Sequence, residues 1–377
     1  MKRITVFLAL IFLLLIQVVT AQNMDQETDT LSKFDKFNQK AERFFKVFPV
    51  PIISYSQEAG NIIGLAKFNA FNFSKNDTIS LPSKLSGSVS FSTKGRININ
   101  LGNDLIFDEN RYIVLSTFRY IKQPEYLLGI GNDVSLDDIE SVTNEHIEYN
   151  VIALRRVFKR LYAGLAIEID DYIDVRTEPE SFLITEMVSG LNGGTNFGVG
   201  VSLIWDSRDN RYNGHSGTLL KTSMMYYEES LGSAYTFNRF EIDARKYVTL
   251  PWLDHVVAMQ ATTTHLNGDV PYYDLALLGG QNKMRGYYQG ALRDKVLVDT
   301  QIEYRMPVWK IIGLTGWVGT GRVAKSYSDL TSKDFWISYG AGLRLKVDSE
   351  NDINLRIDAG FGQNGINAIY FNFAEAF

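Results

Sequence analysis

The sequence predicts an all-β protein, a transmembrane antiparallel β-barrel of about sixteen strands behind a short N-terminal amphipathic helix. Three observations carry that expectation. The chain opens on an export signal. Apolar and polar residues then alternate in segments near the length of a tilted membrane strand. Finally, long connections alternate with short ones along the chain.

The export signal comes first. Met1, Lys2 and Arg3 precede an apolar run from Ile4 to Val19, and Ala21 stands just before Gln22, where a small residue suits cleavage. The run is at the short end for a membrane span, so residues 1–21 are read as a cleaved signal peptide. The chain has no Cys, which excludes lipidation at the cleavage site, disulfide staples and a Cys-rich metal site. Its formal charge is −5, and loss of Lys2 and Arg3 makes the mature chain more negative still, so nucleic acid is not expected as a partner. Beyond the signal there is no apolar run of about 18 residues, so any passage through a membrane is by strands.

Residues 22–49 follow a different period. Leu31, Phe34, Phe37, Ala41, Phe44, Phe45 and Phe48 recur mostly at spacings of three and four, as on one face of a helix. The stretch reads as a polar leader and a periplasmic amphipathic helix, which either docks at the barrel mouth or packs on its rim.

From residue 50 to residue 377 alternation dominates. Between Arg96 and Phe107, Ile97, Ile99, Leu101, Leu105 and Phe107 share one parity, with Asn103 and Ile106 out of step. Phe240, Ile242, Ala244 and Val248 oppose Arg239, Glu241, Asp243 and Arg245; Ile353, Leu355, Ile357, Ala359 and Phe361 oppose Asn354, Arg356 and Asp358. A soluble sandwich also alternates. Connection lengths separate the two cases. Tight turns are expected at 108–109, 158–159, 251–252 and 307–310, and long loops at 121–144, 172–194, 266–294 and 323–333. Short periplasmic turns and long external loops are the pattern of an outer-membrane barrel. Two connections on the short side, 74–84 and 207–215, are longer than that pattern prefers. In the last segment Ile369, Phe371 and Phe373 alternate with Tyr370, Asn372 and Ala374, and the sequence given closes on Phe377.

The segment Leu278-Gly279-Gly280-Gln281-Asn282-Lys283-Met284-Arg285-Gly286-Tyr287 resembles the Arg-Gly-Phe/Tyr motif in the sixth outer loop of the BamA/TamA superfamily, the bacterial surface antigen family. It sits in a long connection, has Gly-Gly at the usual spacing, and is followed by five candidate strands, as in that sixteen-stranded barrel. The resemblance implies that this loop folds into the lumen and that Arg285 reaches the inner wall. On the following strand Val298, Thr300, Ile302, Tyr304 and Met306 take the lipid parity, which leaves Asp299, Gln301, Glu303 and Arg305 facing inward. Glu303 or Asp299 is therefore the expected partner of Arg285, with Glu303 preferred. Trp205-Asp206-Ser207-Arg208-Asp209-Asn210 resembles the family's periplasmic Asp-x-Arg-Asp turn, and a turn-forming role is expected for Asp206, Arg208 and Asp209. A last strand ending in Phe is similar to the signal that delivers Gram-negative barrels for insertion, which singles out Phe371, Phe373 and Phe377.

The resemblance has two departures. The 28 residues from 22 to 49 are too few for a POTRA domain, because a folded domain needs roughly 50 or more. Where the family often has aromatic-x-Asp-x-Gly, this chain has Trp317-Val318-Gly319-Thr320-Gly321, without the acid.

No enzyme is expected. His146, His215, His255 and His265 lack His-x-x-x-His or other ligand-like spacing, and there is no Gly-x-Ser-x-Gly. His265 lies near Asp269, but neither has an evident catalytic partner. The acidic stretches 133–140 and 170–180 lack an EF-hand pattern and read as solvated loop, so no metal or cofactor is expected. The resemblance implies a barrel in the outer membrane of a Gram-negative bacterium, acting in protein assembly, insertion or translocation, with lipids, other envelope proteins or nascent barrels as partners. The alternatives are a pore-like or structural barrel, or an accessory subunit of an envelope complex.

Overall fold

The computed structural model describes residues 47–56, 59–73, 79–135, 139–251, 253–331 and 333–377. The expected signal peptide, and the leader and helix up to residue 46, lie outside the described residues.

The first strands are β1 (Val50–Ser56), β2 (Gly60–Phe71), β3 (Ser83–Ser92), β4 (Ile97–Phe107), β5 (Tyr112–Leu127) and β6 (Glu140–Phe158). β7 (Leu161–Arg176), β8 (Gly194–Asp206), β9 (Gly217–Tyr227), β10 (Phe237–Leu250), β11 (His255–Gly268) and the short β12 (Ala276–Leu278) follow. The chain ends with β13 (Leu292–Asp294), β14 (Val296–Trp309), β15 (Ile312–Ala324), β16 (Trp336–Asp348), β17 (Ile353–Gly362) and β18 (Asn367–Phe373). Among the described residues sixteen of these close into an antiparallel barrel, each beside its neighbour in sequence apart from the β11–β14 step; β12 and β13 form a separate hairpin in the loop between those two strands. The architecture is the sixteen-stranded barrel that the sequence predicted.

Alternation has the meaning expected of a barrel in lipid. Ile63, Leu65, Leu165, Ile167, Val201 and Leu203 stand exposed on the outer surface at every second position. On β14 the inward set Asp299, Gln301, Glu303 and Arg305 is buried. Ile106, out of step on β4, is buried and packs in the inner cluster. Tight turns close one end, and several place a polar non-glycine residue at positive φ, among them Asn110 (61°), Asp254 (53°) and Asp352 (54°), where Asn and Asp are best tolerated.

Two sequence expectations need correction, and the long 207–215 connection has a physical reason. The long connections are shorter than predicted at β5–β6, because β5 continues to Leu127 and β6 starts at Glu140. The 207–216 connection is longer than a tight turn because it lies across the end of the barrel: Tyr212 Oη donates to Pro82 O (3.2 Å), and Asn213 Nδ2 to Asp352 Oδ2 (3.0 Å). The last strand stops at Phe373, not at Phe377. At Ala374 the backbone turns to φ 65°, and Ala376 and Phe377 are buried against Tyr247 and Ala258.

Candidate functional site: the infolded sixth loop and the first-to-last strand seam

The loop of residues 269–295 runs into the barrel, where Met284, Arg285, Tyr287, Leu292 and Arg293 are almost wholly buried. Its tip approaches the wall through backbone. Gly286 has φ +124°, and a Cβ there would fall 2.6 Å from the Phe361 carbonyl carbon, so glycine is required on both counts. β17 makes room reciprocally: a Cβ on Gly360 would meet Gly286 N at 2.7 Å, and one on Gly362 would meet the Tyr287 ring at 2.6 Å. Gly279 and Gly280, also at positive φ, begin the turn that carries the tip inward.

At the tip Arg285 is sealed from solvent between two carboxylates. Its Nη2 lies 2.5 Å from Glu303 Oε2, an ion pair off the hydrogen-bonding direction, and its Nη1 donates to Asp358 Oδ2 at 2.7 Å. The guanidinium sits 3.9 Å from the Trp317 ring centroid, close enough for a desolvated cation–π contact. Asp299 does not reach Arg285. It accepts from Thr262 Oγ1 at 2.5 Å and lies four residues, roughly 13 Å, along β14 from Glu303. The acid absent from β15 is supplied by Asp358 on β17, and the aromatic residue of that β15 segment, Trp317, provides the ring.

The cluster extends toward the closed end. Arg305 Nε donates to Glu303 Oε1 (2.7 Å), Arg344 Nη1 to Asp358 Oδ1 (2.6 Å) and Arg344 Nε to Glu375 Oε2 (2.7 Å). Arg305 Nη2 donates to Phe377 O at 2.7 Å, which holds the turned-in tail. Such a buried array is kept only when nearly every charge is matched, since an orphaned ion in low dielectric is far costlier than a surface one.

The loop tip is also bonded to the last strand. Gly286 N–H donates to Tyr370 Oη (3.0 Å), and Tyr370 Oη donates to Tyr287 O (2.9 Å). Tyr287 Oη donates to Ile337 O and accepts from Gln363 N, both at 2.7 Å. Burial pushes the Tyr287 phenol up to about 12, so it remains a neutral donor and acceptor near neutral pH. Asn372 Nδ2 on β18 reaches Gln281 Oε1 at 3.0 Å.

The seam is sparse where the rest of the wall is continuous. β1 pairs with β2 at every residue from Val50 to Ser56, and β18 pairs with β17 from Asn367 to Phe373. Between β1 and β18 the register among the described residues is the single pair Ser56–Ala368, joined by Ser54 Oγ donating to Ile369 O at 2.5 Å. At the other end of the seam the Phe373 and Phe68 rings are 5.9 Å apart. Phe371, also on β18, pairs with Ile357.

The periplasmic-turn residues act locally. Asp206 accepts from Arg208 Nε (2.9 Å) and Nη2 (2.8 Å), and Asp209 Oδ1 accepts from the backbone N–H groups of Asn210, His215 and Ser216. This is turn chemistry that shapes the segment lying across the barrel end.

A closed antiparallel barrel with an apolar outer face, a loop drawn into its lumen and a nearly open first-to-last seam defines a class of outer-membrane β-barrel. The chain belongs to the Omp85 superfamily, whose domain profile matches residues 62–377. Barrels of this superfamily are outer-membrane proteins of Gram-negative bacteria. The fold is similar to BamA from Haemophilus ducreyi lacking POTRA domains 1–3, with a TM-score of 0.54 and 13% identity over 95% of this chain and 81% of that one. It is also similar to CdiB from Acinetobacter baumannii (TM-score 0.52, 12% identity, 86% of this chain) and CdiB from Escherichia coli (TM-score 0.53, 11% identity, 85% of this chain). The chain spans 58% and 61% of those two CdiB chains. No curated protein matches the sequence.

Proposed function

We propose that this barrel acts in outer-membrane protein assembly, insertion or translocation, with another envelope protein delivering its substrates, and that its working part is the β1–β18 seam. The observation that carries this reading is the contrast between that single residue pair and the fully paired neighbours on either side. Strand edges in hydrocarbon leave N–H and C=O groups without water to bond, so an incoming strand gains by pairing there. The packed sixth loop and turned-in tail favour this reading over a solute pore, because both occupy lumen that a pore would leave open. The work is non-covalent, and no catalytic residue is invoked. The domain boundaries carry over into this reading as a signal peptide (1–21), a leader and helix (22–49) and a barrel (50–377).

The test is a depletion strain rescued by plasmid-borne protein. The native chain has no Cys, so Ser56→Cys with Ala368→Cys introduces one pair, at facing positions whose Cα separation suits a disulfide. Depletion is expected to lower many unrelated outer-membrane barrels, and the locked variant to restore them only under reducing conditions. An unchanged barrel population on depletion, or full rescue by the oxidised variant, refutes the proposal.

A further inference from the structure

A second cluster of ionisable groups lies where the sixth loop meets the wall made by β6 and β7. The register sets Glu148 directly opposite Asp170. Two carboxylates facing each other across an antiparallel pair destabilise it unless something compensates. His146, two residues before Glu148 on the same strand, shares its face, and ligand atoms of His146, Glu148 and Asp170 all lie within 4.8 Å of one another. The loop adds Asp274, which lies beside Asp170 and accepts from Asn196 Nδ2 at 2.6 Å.

Protein cations only partly balance this set. Glu148 pairs with Arg119, and Glu168 pairs with Arg239 at 2.5 Å. Four carboxylates thus face two guanidinium groups and the His146 imidazole, so acids outnumber the fixed cations around the cluster. Two of the buried side chains also keep an open ligand atom. His146 is 5% exposed and Asp170 7% exposed, and neither His146 Nδ1 nor Asp170 Oδ1 has a hydrogen-bond partner. The remaining ring nitrogen, His146 Nε2, is 3.2 Å from Glu148 Oε1. The imidazole is stacked on Tyr172 at 4.3 Å, and Tyr172 on Tyr273 at 3.7 Å, so the same stack that orients His146 holds the residue next to Asp274.

We propose that His146, Glu148 and Asp170, with Asp274 of the sixth loop, form a site for a divalent transition-metal cation such as Zn²⁺ that ties the loop to the barrel wall. One imidazole with several carboxylates suits Zn²⁺ better than Ca²⁺ or Mg²⁺, which favour oxygen alone. A divalent ion offsets the carboxylate charge and relieves the Glu148–Asp170 confrontation. Because one ligand comes from the loop and three from the wall, occupancy strengthens the docking of a loop whose tip braces the last strand. The site does not rest on the seam's role, and either reading can fail alone.

The experiment uses the full chain, purified in detergent, stripped with EDTA and titrated with Zn²⁺ against a chromophoric competitor. One ion per chain is expected. His146→Gln and Asp170→Asn should each weaken binding by more than the roughly 10–100-fold that loss of an outer-shell partner costs. Asp274→Asn should weaken it too, and should abolish any protection of the loop from protease by added Zn²⁺. Replacing His215, His255 and His265 together by Gln leaves His146 as the only histidine, and this variant should bind as the parent does. Heat-modifiable migration on gels confirms the fold of each protein. Absence of stoichiometric uptake by the parent chain overturns the proposal whatever the variants do. So does unchanged binding in folded His146→Gln and Asp170→Asn, which would place any ion elsewhere.

Discussion

Replacing Arg285 by Ala tests whether the loop tip is held by charge in a dry site. Arg285, Glu303 and Asp358 are all sealed from solvent, with contacts of 2.5 and 2.7 Å. Removing the cation leaves two carboxylates with a reduced complement of arginines, and breaking a buried pair by deleting one partner costs about 3–5 kcal/mol. Loss of the Trp317 contact falls within that figure and is not added to it, because the two interactions share one side chain. At 1.4 kcal/mol per tenfold, the folding equilibrium should shift by roughly two to four orders of magnitude. Arg285→Lys should cost less, since it keeps a charge, but it cannot bridge two carboxylates with separate Nη groups. The assay is urea unfolding of the barrel in lipid vesicles, with the folded fraction read by heat-modifiable migration. Arg176→Ala, at an exposed pair with Asp174, should leave the midpoint unchanged. If Arg285→Ala behaves like Arg176→Ala, the lumen is wet at this point and the argument from burial is wrong.

Tyr370→Phe removes one hydroxyl that serves both Gly286 N and Tyr287 O. It should destabilise the docked tip by about 1–3 kcal/mol and raise hydrogen exchange in β18, read by mass spectrometry, with little change in β10. Gly286→Val introduces a Cβ 2.6 Å from the β17 backbone and a branched residue at φ +124°, so the tip should leave the lumen. Protease cleavage within 269–295 that is no faster than in the parent would contradict this.

Much of the barrel was legible because a strand's period of two survives without knowledge of its neighbours. The alternation of Val298 to Met306 against Asp299 to Arg305 sorted lipid from lumen on β14 before any pairing was known. The partner of Arg285 was only half legible, for a reason that follows from closure. Asp358 was on the inward parity of its segment, but which inward acid faces which loop residue depends on curvature and register across β15 and β16, and local pattern carries neither. Asp299 shares Glu303's parity and was therefore indistinguishable from it by periodicity. By sequence, the missing acid of the β15 segment shifts the anchoring of Arg285 onto Glu303 and Asp299, whereas the second acid is Asp358 on β17. Tyr370 was set on the parity opposite Ile369, Phe371 and Phe373, with nothing to mark its bond to Gly286. His146 was set aside because the ligand spacing sought was that of a helix or finger, whereas on a strand His-x-Glu already places both groups on one face.

The structure also shows why a weak seam and a tightly packed lumen belong together. β18 has one complete partner, β17, and almost none in β1, so by strand pairing alone it would fray. What holds it is inside the barrel: Tyr370 and Asn372 bond the sixth loop, and the turned-in tail is gripped by Arg305. The loop in turn depends on Arg285, Glu303 and Asp358, whose strands β14 and β17 lie on the same side of the seam. Among the described residues, bracing therefore falls on the β18 side, while β1 is held mainly by β2. Were the seam to open, the displacement would fall on β1 rather than on the braced β18 edge.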